Sequence, residues 1–205
     1  CMAVSVAKEL AAPGLRSIGI DTERNLTKFS PVPKANADMA IVVQMTTPDI
    51  NVANAVRAGL GLPADLVEPA NGWPVVILQH GIGLKKEDML ALTGILSVYG
   101  FSTVAINHPL HGDPDVFGGA MPGGSRGFDL NADGVDDINA TTASVTHYMN
   151  LGSLLTMRDN LRQSTSDLLG LRLGLNFLGG AHAEGNAIKV DSTNVHFLGH
   201  SLGAM

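Results

Sequence analysis

The chain has 205 residues, a formal net charge of -6, 45% hydrophobic residues and 16% charged ones. That length can bury a sizeable core in one domain, and the acidic balance argues against nucleic acid or an anionic membrane surface as an electrostatic partner. No apolar run reaches the length of a membrane span, and the first residues lack the basic-then-apolar pattern of a signal peptide.

Cys1 is the only cysteine, so no internal disulfide can form. It reads either as the lipid-anchored N-terminus of a mature envelope protein or as the cut end of a longer chain, and the second is preferred. Residues 1–37 are expected to be an extension or the end of a preceding region. Met2 to Leu15 is weakly amphipathic, and Asp21 to Ala37, with Pro31 and Pro33, reads as loop. Residues 38–205 are expected to form the N-terminal portion of the main domain.

Met39 to Met45 reads as a strand ended by Thr46-Thr47-Pro48, and Val52 to Ala58 as a short helix within an irregular stretch. Trp73 to Gln79 is a buried strand running into His80-Gly81-Ile82-Gly83. Met89, Leu92, Leu96 and Tyr99 then recur at helical spacing, with Glu87 and Asp88 in the first turn and Gly100 at the stop. Phe101 to Ile106 is the next strand, ending at Asn107-His108-Pro109-Leu110-His111-Gly112. Residues 113–150 read as an inserted, cap-like region that begins with a Gly- and Pro-rich excursion. Leu151 to Leu173 carries helix periodicity, and Val195 to Leu198, preceded by the turn-forming Asp191-Ser192-Thr193-Asn194, is a final strand. Strands alternating with helices predict an α/β fold with a mostly parallel sheet and helices on both faces.

The final strand leads into Gly199-His200-Ser201-Leu202-Gly203, a G-x-S-x-G nucleophile elbow. The glycines are required because a side chain at 199 or 203 would collide with backbone where the chain reverses to lift Ser201 off the sheet. The His80 to Gly83 turn is the second half of the pattern, an H-G-x-G sequence after a buried strand. Hydrolases place part of the oxyanion hole there. Ser201 is then the nucleophile, and the backbone amides of Leu202 and Ile82 are the donors to the developing oxyanion. His80, Gly81 and Gly83 shape the oxyanion loop, with His80 holding it through a hydrogen bond.

In this fold the acid and the histidine follow the serine in the chain. All seven histidines lie at or before position 200, so both partners are expected beyond Met205. His200 lies within the elbow and points away from Ser201. For His108 and His111, lining the site and shaping a turn are both open readings, since ligand sites collect at the C-terminal ends of α/β strands. His147, His182 and His196 are assigned to packing.

Several segments together carry a family likeness: Trp73 to Gly81, Lys86 to Leu90, His108 to Gly112, Asn150-Leu151, Arg158 to Gln163 and the elbow. From about Ala37 onward the chain resembles the bacterial extracellular (virulence-factor) lipases, the Pla-1/cef group, close to the surface lysophospholipase lipoproteins of marine Gram-negative bacteria. The resemblance implies an α/β-hydrolase fold and a secreted or outer-membrane location. It also implies a lipid or lysophospholipid ester substrate, reached through association with a membrane surface without a transmembrane segment. The chain departs from the group at Asn107, where those lipases tend to carry Asp, and in Asp113 to Gly124, which looks inserted before Ser125-Arg126-Gly127-Phe128.

No cofactor is required by this chemistry, but Asp129 to Asp137 matches the first nine positions of a calcium loop, with Asp129, Asn131, Asp133, Val135 and Asp137 as ligands. Ala140 stands where the closing Glu belongs, and an acidic turn held by Asx-type hydrogen bonds is the rival reading. Arg158, Asp159, Arg162 and Asp167 form either a solvated helix face or a buried ion-pair set against the elbow strand. Met149, Leu151, Leu154 and Leu155 either pack in the core or line an acyl pocket. The whole pattern predicts a serine esterase of lipids. An acyltransferase using the same acyl-enzyme, or a silent surface module on the same scaffold, are the alternatives.

Overall fold

The computed structural model describes residues 40–116, 121–122, 124–177 and 188–205. Cys1, the amphipathic stretch from Met2, the loop to Ala37 and His182 lie outside them.

A seven-residue apolar strand anchors the architecture. β2 (Trp73–Gln79) is buried along almost its whole length, as expected for a strand covered on both faces. Its side chains alternate between two cores. Val75 and Ile77 join Val104, Ile106, Leu171 and Leu175 on one side, while Val76 and Leu78 join Met89 and Ala105 on the other. The first core is closed by α3 (Leu154–Gly174) and the second by α2 (Leu90–Val98), so helices cover both faces.

The fold is α/β, built on a four-stranded sheet in the order β1 (Gln44–Thr46), β3 (Ser102–Ala105), β2, β6 (Val190–Gly199). The sheet is mixed, not mostly parallel. β2 runs parallel to β3 and to β6, but β1 pairs antiparallel to β3. β1 is also shorter than the seven apolar residues suggested, and Val42 and Val43 stay more than a third exposed. A two-stranded ribbon, β4 (Asp115–Val116) with β5 (Met121–Pro122), falls within the predicted insertion.

The remaining elements follow their local chemistry. α1 (Ile50–Gly59) starts where the Asp49 carboxylate accepts from the amides of Asn51 and Val52, satisfying two donors of the first turn. The helix before β3 has two parts: a 3-10 turn at Lys86–Met89, then α2. Asp191 to Asn194 forms no separate turn before the elbow strand. It bulges out of β6 itself, because Pro74 pairs with Asp191 while Val75 pairs with Val195. The Asp191 carboxylate holds the bulge by accepting from the Thr193 amide and hydroxyl.

Connectivity then positions the site. From β2 the chain crosses to β3 on one side, and from β3 it returns to β6 on the other side of β2. The three parallel strands therefore end on one edge of the sheet, with the order reversing beside β2. That reversal is where α/β sheets open a crevice. His80, Asn107 and His200 are the first residues past the sheet on that edge, or within one residue of it.

Candidate active site

The elbow extends the β6 ladder by one residue, since the His200 amide donates to the Gln79 carbonyl at 2.9 Å. The chain then reverses. Ser201 adopts φ 54°, left-handed for a residue other than glycine, a conformation that costs about 1–3 kcal/mol. It opens a single 3-10 turn, Ser201–Ala204, and its side chain is exposed while Leu202 and Gly203 are buried. Both glycines are steric necessities. A Cβ on Gly199 would lie 2.1 Å from the Gly203 carbonyl oxygen, and one on Gly203 would lie 2.4 Å from the Gln79 oxygen.

The predicted oxyanion turn meets this elbow directly. A Cβ on Gly81 would lie 3.1 Å from Ser201 Cβ and 3.0 Å from His200 Nδ1, so a side chain there would press the two turns a few tenths of an ångström apart. Ile82 and Leu202 pack into one cluster with Ala140, Tyr148, Met149 and Leu161. Among the described residues, neither the Ile82 nor the Leu202 amide donates to a protein acceptor. These are the two donors the sequence reserves for an oxyanion.

His108 and His111 lie on the same edge as His80. The three rings form a triangle, with centroids 4.7 Å apart for His80–His108, 5.2 Å for His80–His111 and 5.7 Å for His108–His111. None faces solvent as a site-lining base would. Burial lowers all three pKa values, to about 3 for His80 and about 4 for His108 and His111, and the nearby cationic groups push the same way. They are neutral imidazoles in the physiological range.

Asn107 is buried just past the end of β3 and uses both ends of its amide. Its Oδ1 accepts the Lys86 amide at 2.8 Å, while its Nδ2 donates to the Gly124 carbonyl at 3.1 Å. An amide serves both partners, whereas a carboxylate would set two oxygens against one another. The amide of Asn107 thus ties the turn after β3 to Gly124. Arg126 follows at once, donating to the Asn107 carbonyl and pairing with Asp167 at 2.7 Å, both side chains almost fully buried. Asp167 is therefore part of a buried ion pair, but its partner Arg126 lies in the Ser125 to Phe128 stretch and not on the elbow strand. Arg158 and Arg162 meet Asp159 along the helix, with Arg162 half exposed.

Of the predicted acyl-pocket residues, Met149 packs beside Leu202 and Ile82, but Leu151 and Leu154 are exposed. The Asp129 to Asp137 loop closes on its own backbone. Asp129 Oδ1 accepts from the amides of Asn131, Ala132 and Asp133, and its Oδ2 from Gly134. These bonds hold its carboxyl below the usual carboxylate range, that of Gly134 contributing most. Among the described residues, no three His, Cys, Asp or Glu side chains converge as a metal would need. His196 packs edge-on against Phe101.

Tyr148, Ser164, Arg126 and Asn139 are parts of this site that the residue pattern did not single out for it. Tyr148 and Ser164 join it through one bond across the fold, Tyr148 Oη to Ser164 Oγ at 2.6 Å. Asn139 donates to the Gly112 carbonyl and accepts from the amides of Thr141 and Thr142. No local signal marks Tyr148, Ser164 and Arg126, because the partners that tie them to the site lie 16 or more positions away in the chain. No protein-family model, no curated protein and no solved structure matches the chain. Its chemistry is read from its own residues. Among the described residues, no helix is long and apolar enough to cross a membrane.

Proposed function

We propose that the chain carries the nucleophile and oxyanion hole of a serine carboxylic-ester hydrolase acting on lipid esters, on an α/β-hydrolase scaffold. The observation that carries this reading is the exposed Ser201 at φ 54°, on a turn that requires glycine at 199 and 203 and packs closely against Gly81 of the His80 to Gly83 loop. Ser201 Oγ attacks the ester carbonyl carbon. An Oγ–C bond forms as the carbonyl oxygen takes up negative charge between the Ile82 and Leu202 amides. The ester C–O bond then breaks, the alcohol leaves with a proton, and water releases the acid from Ser201. Each oxyanion donor contributes about 3 kcal/mol to lowering the barrier.

A base must take the Ser201 proton. His80, His108 and His111 are buried and committed to other partners, so the reading assigns this role to none of them but to a histidine oriented by a carboxylate, a pair that this fold places after the serine in chain order. The likeness to virulence-factor lipases and the apolar Ile82, Met149 and Leu202 favour a lipid acyl group, with a secreted or surface location. The reaction needs no cofactor.

The test is a fluorophosphonate, which forms an Oγ–P bond and expels fluoride only at an activated serine. With the full-length protein, labelling is expected at Ser201 and is lost in Ser201→Ala. If Ser201 labels, transfer of the acyl group of an ester by unlabelled protein to an added alcohol in preference to water would favour the acyltransferase. No labelling would favour a silent surface module.

A further inference from the structure

Three imidazoles, 0–4% exposed, surround one four-residue turn, and acyl transfer uses none of them. Their partners assign every ring proton. His80 Nε2 accepts the His108 amide at 3.0 Å, so its Nδ1 carries the hydrogen and donates to the Gly81 carbonyl at 2.7 Å. His111 Nε2 accepts the Gly83 amide at 3.1 Å, so its Nδ1 donates to the Pro109 carbonyl at 2.8 Å. His108 is the reverse. Its Nε2 donates to the His80 carbonyl at 3.0 Å, leaving Nδ1 to accept from Ser164 Oγ at 2.9 Å. Ser164 in turn accepts from the Tyr148 hydroxyl.

We propose that His80, His108 and His111 are positioning residues that aim the Ile82 amide at the oxyanion, with Ser164 and Tyr148 fixing the tautomer of His108. The inference rests on the hydrolase reading, in which that amide receives the charge. The peptide joining Gly81 to Ile82 is planar and trans, so its carbonyl and its N–H point in opposite directions. His80 holds the carbonyl, and the N–H therefore points away from the His80 ring. The neighbouring groups are also held: the His80 carbonyl by His108 and the Gly83 amide by His111. Within the turn the Gly81 and Ile82 amides are without a protein acceptor among the described residues, and the Ile82 amide is the one whose peptide carbonyl His80 holds.

A neutral imidazole suits this task because it carries one donor and one acceptor on a rigid ring. A protonated His80 or His111 would turn a second N–H against the backbone amide it now accepts. The charged and titratable groups around the cluster are Lys86 on the 3-10 turn, Arg126 from the Ser125 to Phe128 stretch, Tyr148 and, on α3, Asp167.

Long-range nitrogen–proton NMR on the full-length protein reads the tautomers without turnover. The Nδ1–H form is expected for His80 and His111, and the Nε2–H form for His108. The opposite tautomer at any of the three overturns the proposal. Kinetics then test the role. His111→Phe removes the acceptor for Gly83 and is expected to slow Ser201 phosphonylation, and kcat on a short-chain ester, about 10–100-fold with little change in KM. His111→Gln, whose side-chain oxygen can accept the same amide, is expected to recover most of that rate. Wild-type rates in His111→Phe, or equal losses in both variants, would sink the positioning role. If His111→Phe does not fold, the wild-type tautomers and the His111→Gln rate still decide. If wild-type Ser201 never reacts, the hydrolase reading fails, while the tautomers judge separately whether the imidazoles hold the turn.

Discussion

The two turns that meet at Ser201 are held in opposite ways. The elbow is shaped by what is missing: at Gly199 and Gly203 any side chain would strike backbone, and the turn's own polar contacts are backbone ones. The His80 to Gly83 turn is shaped by what has been added, three imidazoles bonded to its peptide groups. A turn held by steric exclusion is insensitive to solvent conditions. One held by neutral histidines depends on their protonation.

Acid should separate the two most strongly. Burial lowers the folded pKa values of His80, His108 and His111 far below the usual 6.5. Above that value neither state binds the protons, and no stability is lost. Below it the unfolded chain takes up protons that the fold excludes, so stability falls with pH until the folded histidines titrate, near 4 for His108 and His111. Each buried histidine adds a slope of about 1.4 kcal/mol per pH unit. Urea melts between about pH 6.5 and 5, where most carboxylates are still ionised, should show it. His111→Gln should flatten the slope by one histidine's share.

The buried pair behind the histidines comes next. Arg126→Met leaves the Asp167 carboxylate buried without its guanidinium and should cost about 3–5 kcal/mol in chemical denaturation. Adding Asp167→Leu should restore much of this, since the charge left behind causes most of the loss.

Gly199→Ala tests the elbow. The clash with the Gly203 carbonyl should cost about 1–3 kcal/mol and abolish labelling of Ser201. Gly94→Ala is the control, because it lies in α2 with nothing within 4 Å of the added methyl. It should stabilise by about 0.5–1 kcal/mol.

The smallest effect belongs to the acidic loop. Asp129→Ala should speed amide exchange at Asn131 to Gly134, whose N–H groups the carboxylate holds, without moving the global unfolding transition.

The two turns also differ in how legible they were. G-x-S-x-G after an apolar run announces an elbow, because its steric demand falls on residues two positions either side of the serine. The mixed sheet was less legible. The Met39 to Met45 run states that a strand can form, but its direction against β3 depends on pairing across about sixty residues. Asp191 to Asn194 looked like a turn and became a bulge, since β2 continued alongside it and held the strand on both sides. Leu151 and Leu154 read as core or pocket residues, yet both are exposed, Leu154 opening α3 and Leu151 just before it.

Sequence alone determined what is enforced locally: the glycines around Ser201, the His-Gly turn after a buried strand, and the helix and strand periodicities. Each depends on residues within a few positions of one another. Only the tertiary structure decided which groups hold the oxyanion turn. His108, Ser164 and Tyr148 are linked by hydrogen bonds at 2.9 and 2.6 Å although up to 56 positions apart. Such bonds form because burial removes water as a competing partner, and that burial exists only once β2, β3 and α3 have packed together.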